Sequence, residues 1–374
     1  MTTTPAASRT YRTERTLTRT LRVAYPSGRG RMVLRTEKDW ERTVEPVVVS
    51  DDGNVSTFEL EADQPFLYFK PCLVESGAMH WALGPNKLVI MTEKDVRISY
   101  PYFFSPEVGR FSSLVEFPSK ILGRDHKIRG YFPPGYDENT LSEFPVIYMQ
   151  DGQNLFFPEE AFQGQDWKVD ETGNVLRAMN AVEDFLILGM YSGDRMADYT
   201  KPGYELYSRS LAEEVVPEVE RRGIRVGRHR RYRSVWGSSL GGVASFHAVW
   251  QHPEVFGCAV CMSSTFSHRD DLIDRVFSEP FRDVAFYLDS GWPGDNYEVT
   301  VGMAMALISR GWDYGRNLLH LCFPMAEHSE GAWGMRLHLP LQFLNGAVAR
   351  AYRVNKPVLG DRAFGSAPAS PDRP

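Results

Sequence analysis

Trp236-Gly237-Ser238-Ser239-Leu240-Gly241-Gly242 carries a G-x-S-x-G pattern. The apolar run YRSVW directly precedes it and the helix-forming run GGVASFHAVWQH directly follows. A serine on a sharp strand-to-helix turn has its Oγ lifted clear of the sheet and aimed at free N–H groups of the helix start. The turn needs small residues on both sides, which Gly237 and Gly241 supply. The register of those glycines selects Ser239 over Ser238 as a nucleophile. The chemistry this permits is attack on a carbonyl carbon.

A serine hydroxyl is a weak nucleophile at neutral pH and needs a base beside it. Where such an elbow occurs, the order along the chain is Ser, acid, His. His328 lies after the last apolar run, LLHLCFPM, in Ala326-Glu327-His328-Ser329-Glu330-Gly331-Ala332-Trp333. His320 falls within the strand pattern, His338 on the next helix, and His247 and His252 on the helix after Ser239. His328 is therefore the candidate base. The acid should follow the penultimate strand, in Phe286-Tyr287-Leu288-Asp289-Ser290-Gly291-Trp292-Pro293-Gly294-Asp295. Asp295, in the loop proper, is favoured over Asp289 nearer the strand end; Glu298 is a third candidate. An oxyanion hole would use the backbone N–H of Leu240 and, after the strand VIYMQ, that of Gln153, where Gly152 lets the backbone approach closely. Trp167, Trp292 and Trp333 lie near these loops as candidates to line the pocket, with core packing as the alternative for each.

These residues need a scaffold. From about residue 120 the runs VIYMQ, DFLILGMYS, YRSVWGSS, GCAVCMSS, VAFYLDSG and LLHLCF read as strands. They alternate with helical segments VDETGNVLRAMNA, SLAEEVVPEVERRG, GGVASFHAVWQH and VTVGMAMALISRG. This alternation predicts an α/β fold with a mostly parallel central sheet covered on both faces, with ligands at the C-terminal strand ends. Residues 21–119 instead show short Val/Ile/Phe/Tyr-rich runs broken by turn signals such as Asp51-Asp52-Gly53-Asn54, which predicts a smaller β-sandwich. The stretch Phe69-Lys70-Pro71 with Trp81-Ala82-Leu83-Gly84-Pro85-Asn86 resembles Ig-like modules of the carbohydrate-binding early-set type. Trp40 and Trp81 there are a possible ligand platform, with core packing favoured. Residues 1–20, Arg/Thr-rich and poor in acids, read as a flexible basic arm rather than a transit peptide, and 351–374 as a disordered Pro/Ser/Ala-rich tail.

The chain of 374 residues is 43% hydrophobic and 24% charged with a net charge of −6. That balance argues against a nucleic-acid binder. No apolar stretch reaches the roughly 18 residues of a membrane span, so no membrane partner is expected and the cytoplasm is the default location. Cys258-Ala-Val-Cys261 has redox or zinc spacing but lies in an apolar strand-like run with no second pair to complete a metal site, so it reads as buried packing, as do the cysteines generally in a reducing compartment.

At these motifs the chain resembles the esterase family that includes enterochelin esterases, esterase D, feruloyl esterases and mycolyltransferases. The matching pieces are Tyr131-Phe132-Pro133-Pro134-Gly135-Tyr136, YMQDGQNLFF, Gln165-Asp166-Trp167-Lys168-Val169-Asp170-Glu171, Asp198-Tyr199-Thr200-Lys201-Pro202, GSSLGG, His252-Pro253-Glu254-Val255-Phe256-Gly257 and EHSEGAW, across about residues 121–345. The resemblance implies an α/β-hydrolase fold over 120–350 and ester hydrolysis or acyl transfer on a small-molecule ester, without metal or organic cofactor. A β domain ahead of the hydrolase resembles the layout of enterochelin esterases, where it helps shape the substrate site, and implies a siderophore-like or other multi-ester substrate. The chain departs from the family at Gly291-Trp292-Pro293-Gly294-Asp295, where G-T-x-(D/E) is frequent, and at Ala326-Glu327-His328, where Gly-Gly-His is frequent. An acyltransferase or cyclase would use the same acyl-enzyme. A glycan-binding protein on a hydrolase scaffold is the remaining alternative, against which an intact Ser239 and His328 weigh.

Overall fold

The computed structural model describes residues 15–93 and 96–346. Most of the expected arm and the whole expected tail lie outside the described residues.

Leu17–Ala24 forms a strand in the interior of a four-stranded sheet, antiparallel to Val55–Ala62 and parallel to Arg97–Ser99. The expected arm therefore ends sooner than residue 20. Its Arg/Thr composition conceals a strand whose alternate positions Leu21 and Val23 are fully buried. Arg19 is also buried, paired through Nη2 with Glu93 at 3.1 Å. A second, five-stranded sheet contains Asp39–Val44, Arg31–Thr36, Phe66–Glu75, Ala78–Trp81 and Lys87–Ile90. Alternation directs Phe58 and Leu60 from the first sheet, and Leu34, Leu67 and Phe69 from the second, into one shared core. Trp40 and Trp81 are not in that core. Their rings lie 6.3 Å apart, and Trp81 is 43% exposed.

The nine-stranded main sheet runs in the order Arg110–Phe111, His126–Phe132, Leu186–Tyr191, Val146–Gln150, Arg233–Ser238, Cys258–Met262, Ala285–Trp292 and Leu318–Pro324, with Val115–Phe117 also pairing to the second of these. From Leu186–Tyr191 onward the neighbours are parallel. Each strand supplies two cores. Tyr148, Val235 and Phe286 meet Val243, Phe246 and Trp250 of helix Ser239–Gln251 on one face. Met149, Trp236 and Tyr287 meet Leu176 and Leu341 on the other. Such strands are continuous apolar runs because both faces are covered. The fold is that of the α/β-hydrolases.

Cys258 and Cys261 belong to opposite faces of their strand, as a three-residue offset requires. They cannot share a metal or a disulfide. Cys322, unlike the other three cysteines, is exposed. The helical segment expected from residue 210 starts earlier: Gly203–Ser210 runs through a π-type turn, Leu211–Val215, into Val216–Arg221. Pro217 lacks the N–H that a regular ladder would use there, which accounts for the widened turn. No described helix is long and apolar enough to cross a membrane.

The two parts are joined by polar anchors. The Glu138 carboxylate accepts bonds from Tyr25 Oη at 2.9 Å and from the backbone N–H groups of Phe103, Phe104 and Ser105. Asn139 Nδ2 donates to the carbonyls of Ala24 and Pro101.

Candidate active site

Strand Arg233–Ser238 delivers the chain to Ser239, which opens helix Ser239–Gln251 with φ at 54°. That left-handed conformation is unfavourable for serine by about 1–3 kcal/mol and persists only where neighbours enforce it. The neighbours are glycines. A Cβ on Gly237 would lie 2.4 Å from the backbone of Gly241, and one on Gly242 would lie 1.9 Å from Ser264 Oγ. Gly237→Ala should destabilise the fold by about 2 kcal/mol through backbone displacement. A lowered urea midpoint with unchanged slope would register it.

The chain returns to this turn from two distant loops. His328 Nε2 lies 3.0 Å from Ser239 Oγ, and His328 Nδ1 lies 2.6 Å from Asp295 Oδ1. For Nε2 to accept the serine proton, Nδ1 must carry the hydrogen and donate it to Asp295. The structure brings Asp295 to the imidazole and neither of the other acids. Asp289 is fully buried, ion-paired to Arg336 at 3.0 Å and bonded by Tyr287 Oη at 3.0 Å. Burial pushes its carboxyl up to about 6, against the lowering by Arg336. Glu298 lies exposed in the first turn of helix Tyr297–Ser309.

Asp295 is fixed from all sides. Burial alone would raise its pKa, but bonds from His328, Ser263 and the N–H groups of Gly291 and Asn296 outweigh it and hold the carboxyl well below the usual carboxylate range. The Ser263 hydroxyl has its direction forced. Its Oγ accepts from Trp333 Nε1 at 2.9 Å and Arg336 Nη2 at 2.6 Å, so its own hydrogen goes to Asp295 Oδ2 at 2.5 Å. Ser263→Ala removes this charge-assisted bond. We expect kcat for an ester to fall about tenfold with KM little changed, since such bonds contribute about 1.5–3 kcal/mol; steady-state kinetics will show it.

A cavity of about 390 Å³ opens over Ser239 and His328. Gln153 lines it from the short turn Gly152–Asn154, its side chain tied to Ser192 at 2.8 Å. A Cβ on Gly152 would meet the Gly189 backbone at 2.6 Å, so only glycine permits this close packing. Leu240 occupies the first turn of its helix, where N–H groups lack intrahelical partners. Of the three tryptophans, Trp333 lines the cavity, edge-on to His328 with centroids 5.0 Å apart. Trp167 is instead buried behind the wall, packed against Trp333 and donating through Nε1 to Glu330. Trp292, at the end of its strand, is half exposed and takes no part in the lining. The lining residues run from Asp151 to Trp333, so the N-terminal sheets contribute none.

Several participants were not singled out from the sequence, although Asp151 and Glu330 fall within the matching pieces YMQDGQNLFF and EHSEGAW. Asp151 (φ 56°) is buried at the cavity wall and grips Arg195, with Nε–Oδ1 at 2.9 Å and Nη2–Oδ2 at 3.1 Å. Burial raises the Asp151 carboxyl while Arg195 opposes the rise. Glu330 also lines the cavity. Its carboxyl is pushed up to about 7, chiefly by burial.

Residues 119–303 match the family model Esterase, described as "Putative esterase". An uncharacterized protein of Bacillus subtilis (strain 168), YbbA, is 29% identical over 143 residues, 36% of this chain; the chain spans only 55% of that relative. Among solved structures, a ferulic acid esterase superposes with a TM-score of 0.54 at 18% identity, covering 64% of this chain and 99% of its own. The enterobactin esterase of Shigella flexneri, solved in the presence of enterobactin, gives 0.52 at 12% identity, covering 88% and 93%. At such identities these two report shared fold.

Proposed function

Because residues 119–303 match the esterase family model, we propose that the chain is a serine esterase cleaving a carboxylic ester through an acyl-enzyme. The observation that carries this reading is the unbroken relay from Ser239 Oγ through His328 to Asp295, at 3.0 and 2.6 Å, set on a strained turn.

In this reading Ser239 Oγ attacks the ester carbonyl while His328 Nε2 takes its proton. The N–H groups of Leu240 and Gln153 hold the tetrahedral oxyanion. As the intermediate collapses, His328 protonates the departing alkoxide, leaving the acyl group on Ser239. Water then attacks, giving its proton to His328. The second tetrahedral intermediate expels Ser239, which recovers that proton. Asp295 keeps the imidazole in the required tautomer throughout. The His328 side chain is 33% exposed, so water has access to the base.

A fluorophosphonate probe tests the reading. Stoichiometric labelling of the native chain and none of Ser239→Ala is the expected result. Equal labelling of both, or of neither, removes it.

A further inference from the structure

The charges around the cavity exceed what the relay needs. Asp151 is already matched by Arg195, at 2.9 and 3.1 Å. Glu330 is different: its Oε1 accepts from Asn154 Nδ2 at 3.1 Å and its Oε2 from Trp167 Nε1. Both donors are neutral, and Glu330 forms no ion pair among the described residues. A half-buried carboxylate with no directly bonded cation is costly, and the cost is relieved either by protonation or by a cation that a ligand supplies. The same cavity is lined by two aromatic rings, Phe162 (63% exposed) and Trp333. Aromatic faces attract cations, quaternary ammonium groups above all.

Resting on the esterase reading, we propose that Glu330 is a specificity-determining carboxylate that selects esters bearing an ammonium group near the scissile bond and turns away anionic ones. The charged groups facing it are Asp151 from the loop after strand Val146–Gln150, Arg195 from helix Arg195–Tyr199, and His328 from its own loop. Burial and Asp151 keep Glu330 partly protonated at neutrality, against Arg195, His328 and the Trp167 bond. The carboxyl therefore gains charge as pH rises from 6 to 8, and the preference for a cation rises with it. This runs against the polyanionic substrate that a siderophore complex would present.

The test compares acetate esters of choline, of its uncharged isostere 3,3-dimethylbutanol, and of glycolate, an anion. Ratios of kcat/KM at each pH cancel any titration of the shared machinery. Choline over dimethylbutyl should reach about five- to tenfold at pH 8 and approach parity at pH 6, with the glycolate ester slowest, as expected for one partly screened charge pair. In Glu330→Gln the ratio should be low and flat across pH. Should that variant fail to fold, as a thermal melt would reveal, the wild-type pH profile decides alone. A pH-independent ratio, or preference for the anion, overturns the proposal. p-Nitrophenyl acetate separates the two levels. If wild type cleaves it and Ser239→Ala does not, flat ratios sink only the role of Glu330; if neither cleaves it, the esterase reading falls as well.

Discussion

Ser239→Ala is expected to lower ester turnover by about six powers of ten while leaving the fold intact. Substitution removes the only atom that can bond to the acyl carbon, so the remaining route is direct attack by water. Loss of a nucleophile costs roughly a millionfold where donors and binding groups persist, and those survivors still leave about 10³–10⁴ over the uncatalysed reaction. In the proposed mechanism the survivors are the N–H groups of Leu240 and Gln153 and the His328 base. The variant should melt no lower than the native chain, because alanine relieves no contact that Gly237 and Gly241 provide. A burst of p-nitrophenol equal to the enzyme concentration, present in the native protein and absent in the variant, measures the acyl-enzyme directly. A residual rate within tenfold of native would place the chemistry elsewhere.

Asp295→Asn should cost about four powers of ten in kcat, the second largest loss. The amide that replaces Oδ1 can turn its NH₂ toward His328 Nδ1. That nitrogen then accepts, its hydrogen moves to Nε2, and Nε2 can no longer take a proton from Ser239 Oγ at 3.0 Å. Asp289→Asn should lack this effect, since Asp289 faces Arg336 and Tyr287 instead. The sign with pH follows from the depressed Asp295 carboxyl. A group with a lowered folded pKa stays ionised until pH falls well below 4, and its stabilising contribution, complete above the ordinary carboxylate pKa, is lost as pH falls from about 5 through the folded value. Any decline in rate between pH 7 and 5 therefore arises from a group other than Asp295. Parallel kcat profiles for native and Asp289→Asn, beside a collapsed one for Asp295→Asn, would separate the two acids.

How much of this was written in the chain depends on how far apart the partners lie. The Ser239 turn is local: strand, glycines, serine and helix are contiguous, and the G-x-S-x-G register is decisive. His328 followed from chain order and from being the histidine placed just past the last strand. Asp295 and Asp289 both sit near one strand end, and spacing alone could only favour one. What separates them is Arg336, which arrives from a helix beyond His328 and claims Asp289. Ser263 carried no signal, because its value lies in the register of parallel strands that places Met262 beside Asp289. Arg195 was equally silent, and Glu330, although inside EHSEGAW, reads as an ordinary surface-type residue until the fold sets both around one cavity. The opening strand was missed for a different reason. In LTRTLRVA, Arg19 takes an inward position that a simple apolar alternation assigns to a hydrophobe, and only its pairing with Glu93 makes that tolerable.

The anchors at Glu138 and Asn139 bear on the loop that carries Gln153, the proposed oxyanion donor. Both residues belong to the connection that feeds strand Val146–Gln150, and that strand of five residues ends where Asp151, Gly152 and Gln153 begin. The chain that the N-terminal sheets pin at Glu138 and Asn139 thus leads through one strand to the amide of Gln153, the proposed oxyanion donor. The N-terminal module, absent from the cavity wall, is thus hydrogen-bonded to the connection one strand away from it.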